Sequence, residues 1–567
     1  LSVKKNRRIP TIGQLWHLPR LLSKTERRVA SGAIFIAVLA TFVLGYRFLT
    51  AHQDVVPASG GTYTEGLAGT PYRINPIYSS ASDVDNDIAH LVYSGLMRFD
   101  PVDGLVPDLA TSFAMAPDGK SYTFILRDNV KFHNGDALTS ADVAFTIRAI
   151  QNPEYHSPIA GAFDGVTIDT PDARTITFAL ANPSSPFLSS LTVGVLPSQV
   201  WSNIPASAAG LAELNLKPIG SGPFRFEKLT KDNLGTLRSI TLTKNKNFYR
   251  GVPYLDTLQL KFYSSTDELP NLLRNKNIEG AVTVPFTEAS KLADDHSLSV
   301  LRPSIPEYTA AFFNLKSTGA VADQNVRKAL DQSLDRQKLL DATGGHGAPI
   351  TSLLLPGMTG APSSVPGPDI AGAVASLETS GYKLTDGNAV RIKGDKPLAI
   401  AISYTETAEL TLAANELKRQ WELLGASVNL LGMSSDELQT NALRNRNFDV
   451  LLASELYGAF PDPYPYWHSS QATSPGLNVT GFANRTADDA MNIIRTNPNE
   501  VKRNEAFLAL SKLLTDGHVA AFLYQPSYVY VTTSEMKGVD ISRINLPADR
   551  FSNINLWYKK TKAVFKR

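Results

Sequence analysis

The side chains able to do chemistry here are histidines, carboxylates and hydroxyls, because the chain contains no cysteine. The missing thiol removes disulfides, thiolate metal sites, a Cys nucleophile and cysteine-linked lipid together. Nine histidines are scattered without metal-ligand spacing. His133 and His156 stand well apart, and His346 sits in a turn-like Gly-Gly-His-Gly at 344–347 that lacks the lysine of a phosphate cradle. No HExxH, GxSxG or GxxxxGKS/T pattern occurs. Asp83, Asp85 and Asp87 imitate the opening of a calcium loop, but Ile88 stands where the loop needs Gly and Ser94 where it needs Glu. They read instead as an acidic turn or helix start. Paired carboxylates could still do acid–base work, which spacing alone does not reveal.

The elements that must position these groups follow from periodicity. Tyr122, Phe124 and Leu126 alternate within Ser121–Arg127, predicting a half-buried strand. Thr139 with Asp142 three residues on is a capping-box variant that opens a helix through Val143, Ile147 and Ile150. Thr175–Leu180 predicts another strand. Val326, Leu330 and Leu334 mark one helix face, and Leu410, Leu417, Trp421 and Leu424 a second, stopped by Gly425 before a strand at 427–430. Ser434 caps a short helix, 448–453 predicts a buried strand, and a helix over 503–514 precedes one aromatic strand over 522–531. Such alternation predicts two or more α/β lobes with a ligand in the crevice between them.

Length and charge set the outer frame. At 567 residues the chain is at least twice what one core supports, and 43% hydrophobic content excludes a disordered chain. The net charge of +2 hides a segregation: residues 1–28 carry eight Lys or Arg against one Glu, and the last nine residues carry five bases and no acid. The stretch between holds 42 bases against 52 acids, which argues against a nucleic-acid-binding core. Val29–Tyr46 runs 18 residues without a charge, about 27 Å as a helix and enough to cross a bilayer core. We therefore expect a basic cytoplasmic tail at 1–28, an uncleaved single-pass anchor at 29–50, a polar linker at 51–61 and an extracytoplasmic main domain. A cleaved signal peptide is the rival, but its leader is long and no convincing small-x-small cleavage site follows.

A collinear set of segments carries further information. PDLATSFAMAPDGKSYTFILRDNVKFHNGDALTSADVAFTI (107–147), GSGPFRF (220–226), FYRGVPYLDTLQLKFY (248–263), AFFNLKS (311–317), QNVRKALDQSLDRQKLL (324–340), GHGAPITSLLLPG (345–357) and LYGAFPDPYPYWHS (456–469) together resemble the bacterial extracytoplasmic solute-binding proteins of family 5. These are the peptide-, nickel- and oligosaccharide-binding components of ABC importers. The resemblance implies an α/β, two-lobed periplasmic-binding-protein-like fold of the large type II form. Lobe one would span 62–305 with an extra subdomain inserted at about 86–216, lobe two 306–520, and 521–567 would return to lobe one. The GSGP turn suits a place where the chain changes lobe.

The resemblance also implies function: a monomeric receptor whose lobes close on a peptide or other small solute, without cofactor, metal, nucleic acid or enzymatic turnover. It would deliver the solute to ABC permease and ATPase subunits. Sensing through the same trap, or an oligosaccharide or metal-chelate ligand, are the alternatives. Peptide-binding members hold an extended ligand by strand-like pairing and often carry D-x-x-D-P, whose first Asp meets the ligand's amino group. Here Asp462-Pro463 is present but Ala459 replaces that first Asp. Tyr457 and Trp467 as an aromatic ligand wall, Asp462 as its acid and Asn314 as a polar cleft contact are the expected ligand residues. Lobe packing for the rings and turn capping for Asp462 and Asn314 are the structural alternatives.

Overall fold

A computed structural model describes residues 23–51, 53–385 and 387–565. Most of the expected basic tail and the last two basic residues lie outside the described residues. The chain divides into two compact units, residues 1–58 with 560–567, and residues 59–559.

In the first unit, helix Lys24–Ala51 is long and apolar enough to cross a membrane by length and composition. Its start is capped by Ser23, whose backbone N–H and hydroxyl both donate to the Glu26 carboxylate. The segment expected to be a polar linker contains a strand, Gln53–Ala58, antiparallel to Lys560–Phe565 with Gln53 opposite Phe565 and Ala58 opposite Lys560. Val55 and Val56 suit a strand, and Pro57 is tolerated because a two-stranded ribbon is all edge.

The second unit contains two large mixed sheets. The first runs, in spatial order, Leu298–Leu301, Tyr530–Thr533, Gly280–Val282, Thr62–Ala68, Thr257–Tyr263, Leu237–Lys244 and Phe224–Lys231. The second runs Gly347–Pro349, Ala520–Pro526, Glu307–Phe313, Val450–Leu456, Ala399–Thr405 and Ser427–Met433. Between Ala68 and Phe224 the chain inserts a four-stranded antiparallel sheet that includes the expected strands as Ser121–Leu126 and Thr175–Ala179. The helix against it, Ser140–Gln151, opens with the Thr139–Asp142 capping box. The same Asp142 carboxylate also accepts from the Ser198 N–H and hydroxyl, at 2.9 and 2.7 Å.

Four local readings differ from the sequence expectation. The aromatic run 522–531 is two strands in two sheets, because Pro526 lacks the N–H that would continue the ladder. Leu334 lies beyond the end of helix Gln324–Gln332. Part of the GGHGAP turn is the edge strand Gly347–Pro349. The glycines of GSGP return the chain from the insertion to the first sheet, and their role is close approach. A Cβ on Gly220 would lie 2.1 Å from the Val92 carbonyl oxygen, and one on Gly222 would lie 2.7 Å from that of Leu91.

Two short segments carry the chain between the large sheets: 302–306, and Ser527–Val529. They run side by side, bridged between Ser304 and Ser527, with the Tyr528 N–H donating to the Pro303 carbonyl at 3.1 Å. Pro303 and Pro306 lie within this double crossover and Pro526 directly precedes its second segment. Few residues therefore have to rotate for one sheet to move against the other.

Candidate ligand-binding cavity

The double crossover forms one side of a cavity of about 1100 Å³. The first lobe supplies Asp83, His90, Tyr93, Arg98, Asp108 and Arg250, and the second supplies Glu307, Glu409, Leu412 and Leu456. Tyr528 comes from the crossover itself, and Asp549 and Phe551 from the C-terminal return.

Helix Asp83–Val92 shows why the three aspartates are spaced as they are. Ser82 caps it, and Asp83 in its first turn faces the cavity. Asp85 accepts the backbone N–H groups of Tyr72 and Arg73 at 2.8 and 2.9 Å. Asp87 takes a bidentate pair from Arg550, at 2.7 and 2.6 Å. Arg550 also holds Glu65 at 2.7 Å, and Tyr530 donates to the other Glu65 oxygen at 2.9 Å. Arg550 and Glu65 are fully buried, so this triad fastens the return segment, with Asp549 and Phe551, onto the first lobe.

The electrostatics of the lining are uneven. Asp108 lies between Arg250, at 3.4 Å, and Arg98, at 4.0 Å, and Arg98 also pairs with Asp100 at 2.8 Å. Burial, helped by the nearby Arg250, Arg550 and Arg98, pushes the His90 imidazole down to about 4, so it is neutral at physiological pH. On the second lobe, burial and then the neighbouring Glu409 push Glu307 up to about 7. Burial raises Glu409 as well, although the Tyr524 hydroxyl donates to it at 3.1 Å. Asp549 rises to about 6 through burial, against two backbone donors from Leu546 and Asn545. Among the described residues no group of three or more His, Asp or Glu is gathered to hold a metal ion.

None of the four ligand residues expected from sequence lines this cavity. Tyr457 is buried, donates to the Leu353 carbonyl at 3.2 Å, and packs on Tyr308 with ring centres 5.3 Å apart. Trp467 is fully buried, and its indole N–H donates to the Tyr308 hydroxyl at 3.2 Å. Tyr308 in turn donates to Glu455, which burial pushes up to about 8. Alternation along the strands explains the placement. Glu307 and Leu456 are cross-strand partners that line the cavity, so their neighbours Tyr308 and Tyr457 point to the opposite face and into the core. Asp462 accepts the Tyr464 N–H at 3.1 Å and pairs with Arg495 at 3.2 Å, serving as a turn cap. Asn314 is saturated by backbone: its amide donates to the Arg446 and Phe448 carbonyls, and its carbonyl accepts from Lys316. Sequence reading missed Glu307 and Glu409. The available signal was a charged residue immediately before a hydrophobic strand and another in the first turn of a capped helix.

The family model described as bacterial extracellular solute-binding proteins, family 5 Middle, matches residues 104–477. The oligopeptide-binding protein AppA of Bacillus subtilis is 24% identical over 514 residues, covering 88% of this chain and 92% of its own. The solved structure of that AppA with a nonapeptide superposes with a TM-score of 0.71 at 24% identity, covering 89% of this chain and 99% of AppA. NikZ from Campylobacter jejuni in complex with Ni(L-His) superposes at 0.72 and 24% identity, covering 88% and 99%.

Proposed function

The chain belongs to the family 5 bacterial extracellular solute-binding proteins, and from that premise we propose that it is a membrane-anchored receptor that captures oligopeptides and passes them to an ABC permease. Two-lobed periplasmic binding proteins are its structural neighbours, and the family is a class of solute receptors rather than enzymes. The observation that carries the reading is the cavity between the lobes. At about 1100 Å³ it exceeds the roughly 300–1,000 Å³ usual for drug-sized ligands, which leaves room for an oligomeric solute. Polar backbone at the crossover and side chains from both lobes meet the solute together, so binding and closure are one event.

Helix Lys24–Ala51 supports anchoring, with the bulk of the chain outside. Tethering of this kind keeps a receptor at high local concentration beside its permease. The crossover, with Pro303 and Pro306 inside it and Pro526 beside it, supplies the hinge. Mass spectrometry of solute co-purifying with the full chain, followed by calorimetric titration with a peptide library, tests the function. Recovery of peptides and saturable binding are expected. Binding of sugars or metal chelates with no peptide response would overturn the peptide assignment.

A further inference from the structure

We infer that the solute this cavity accepts carries net positive charge, with Glu307 and Glu409 on one lobe and Asp83 on the other as its counter-ions. The inference rests on the receptor reading above and deepens it by naming a ligand class. Among the described residues, six carboxylates and two guanidinium groups line the cavity, with no lysine. Both arginines, Arg98 and Arg250, are already turned toward Asp108. Among the described residues no Lys, Arg or His is paired with Glu307 or Glu409. Arg550, the cation acting on Asp83, is committed to Glu65 and Asp87.

A second observation points to a ligand at the same place. Tyr528 lines the cavity at 9% exposure, and its hydroxyl is buried without a hydrogen-bond partner among the described residues. A buried hydroxyl left unpaired is costly; a polar group of a bound solute, donor or acceptor, would complete it.

Charge on both walls then governs closure. Bringing Asp83 toward Glu307 and Glu409 with nothing between them sets like charges against each other in a poorly hydrated gap, whereas a cation between them reverses the sign. The cationic solute would therefore be the condition for closing. An anionic solute would add to the repulsion.

The test uses the full chain in detergent with matched peptides, trilysine, trialanine and triglutamate, and with spermidine as a non-peptide cation. Trilysine is expected to bind at least about tenfold more tightly than trialanine, with the advantage shrinking as salt is raised and triglutamate the weakest. In E307Q/E409Q the ratio of trilysine to trialanine affinity should collapse toward one, and the single variants E307Q and E409Q should each reduce it. Equal or tighter binding of triglutamate, or an unchanged ratio in the double variant, overturns the inference. Spermidine binding without any peptide response would refute the peptide assignment and support the cationic site.

Discussion

Glu307 couples the cavity to pH. Burial and then the neighbouring Glu409 hold it near 7, with the Ser454 hydroxyl as its hydrogen-bond partner. A cationic ligand needs its carboxylate form, so affinity should rise as pH climbs through about 7. Binding near neutrality should release a proton, which calorimetry in buffers of different ionisation enthalpy would register. The sign for stability is opposite. A carboxyl raised from the usual 4.5 to about 7 favours the protonated folded chain, so its contribution declines as pH rises between those values. E307Q should flatten the ligand-free melting profile in that window. Trp467 makes a contrasting case. Because it is fully buried beside Tyr308, Trp467→Ala should cost about 3–5 kcal/mol in denaturant unfolding. A ligand-wall role would instead appear as lost affinity at unchanged stability. The rings at 457 and 467 were legible as important, but face parity was not, since one residue of strand register separates Leu456 in the cavity from Tyr457 in the core.

Among the elements, those governed by local chemistry were readable and those governed by a distant partner were not. The structure adds Glu437 as the partner of Ser434, and the Thr139–Asp142 capping box and the Ser434 cap form as read. So do the helix Ala408–Leu423 and the strand Ser427–Met433 after Gly425. By contrast, the split of the aromatic run at Pro526 depends on two sheets waiting on either side. The close packing of Gly220 depends on the end of a helix more than a hundred residues earlier. Gly220→Ala should therefore destabilise by about 1–3 kcal/mol or more through overpacking on Val92, measured as a lower denaturation midpoint. The triad is similar: nothing near Arg550 in sequence announces Glu65 and Asp87. Arg550→Met would strand two buried carboxylates, and a loss of about 3–5 kcal/mol is expected in chemical denaturation. Ligand affinity should fall with it, because Asp549 and Phe551 on the same turn line the cavity.

For the whole molecule, the family-level blocks made the two-lobed plan legible, while the cavity's charge emerges only once both lobes are assembled. Closure is directly measurable because the chain has no cysteine. Leu234 lies in a hairpin turn of the first lobe and Leu423 at a helix end of the second, and both are exposed, at 91% and 77%. A chain carrying L234C and L423C and labelled with a dye pair should shift its energy-transfer efficiency when ligand is added. An unchanged efficiency at saturating ligand would count against hinge closure.

The ribbon of Gln53–Ala58 with Lys560–Phe565 also decides what a protease cut leaves attached to the helix. The body, residues 59–559, joins the ribbon at both of its own ends. A protease cut between Ala58 and Ser59 breaks the covalent route from the body to the helix. The body would then hang by the C-terminal strand, through six register pairs with the strand that follows the helix. Two isolated strands hold only marginally in water, so release after such a cut becomes a timed, reversible detachment. A cut within the C-terminal strand leaves the covalent route intact. The two nicks, made at the same ribbon, have opposite fates.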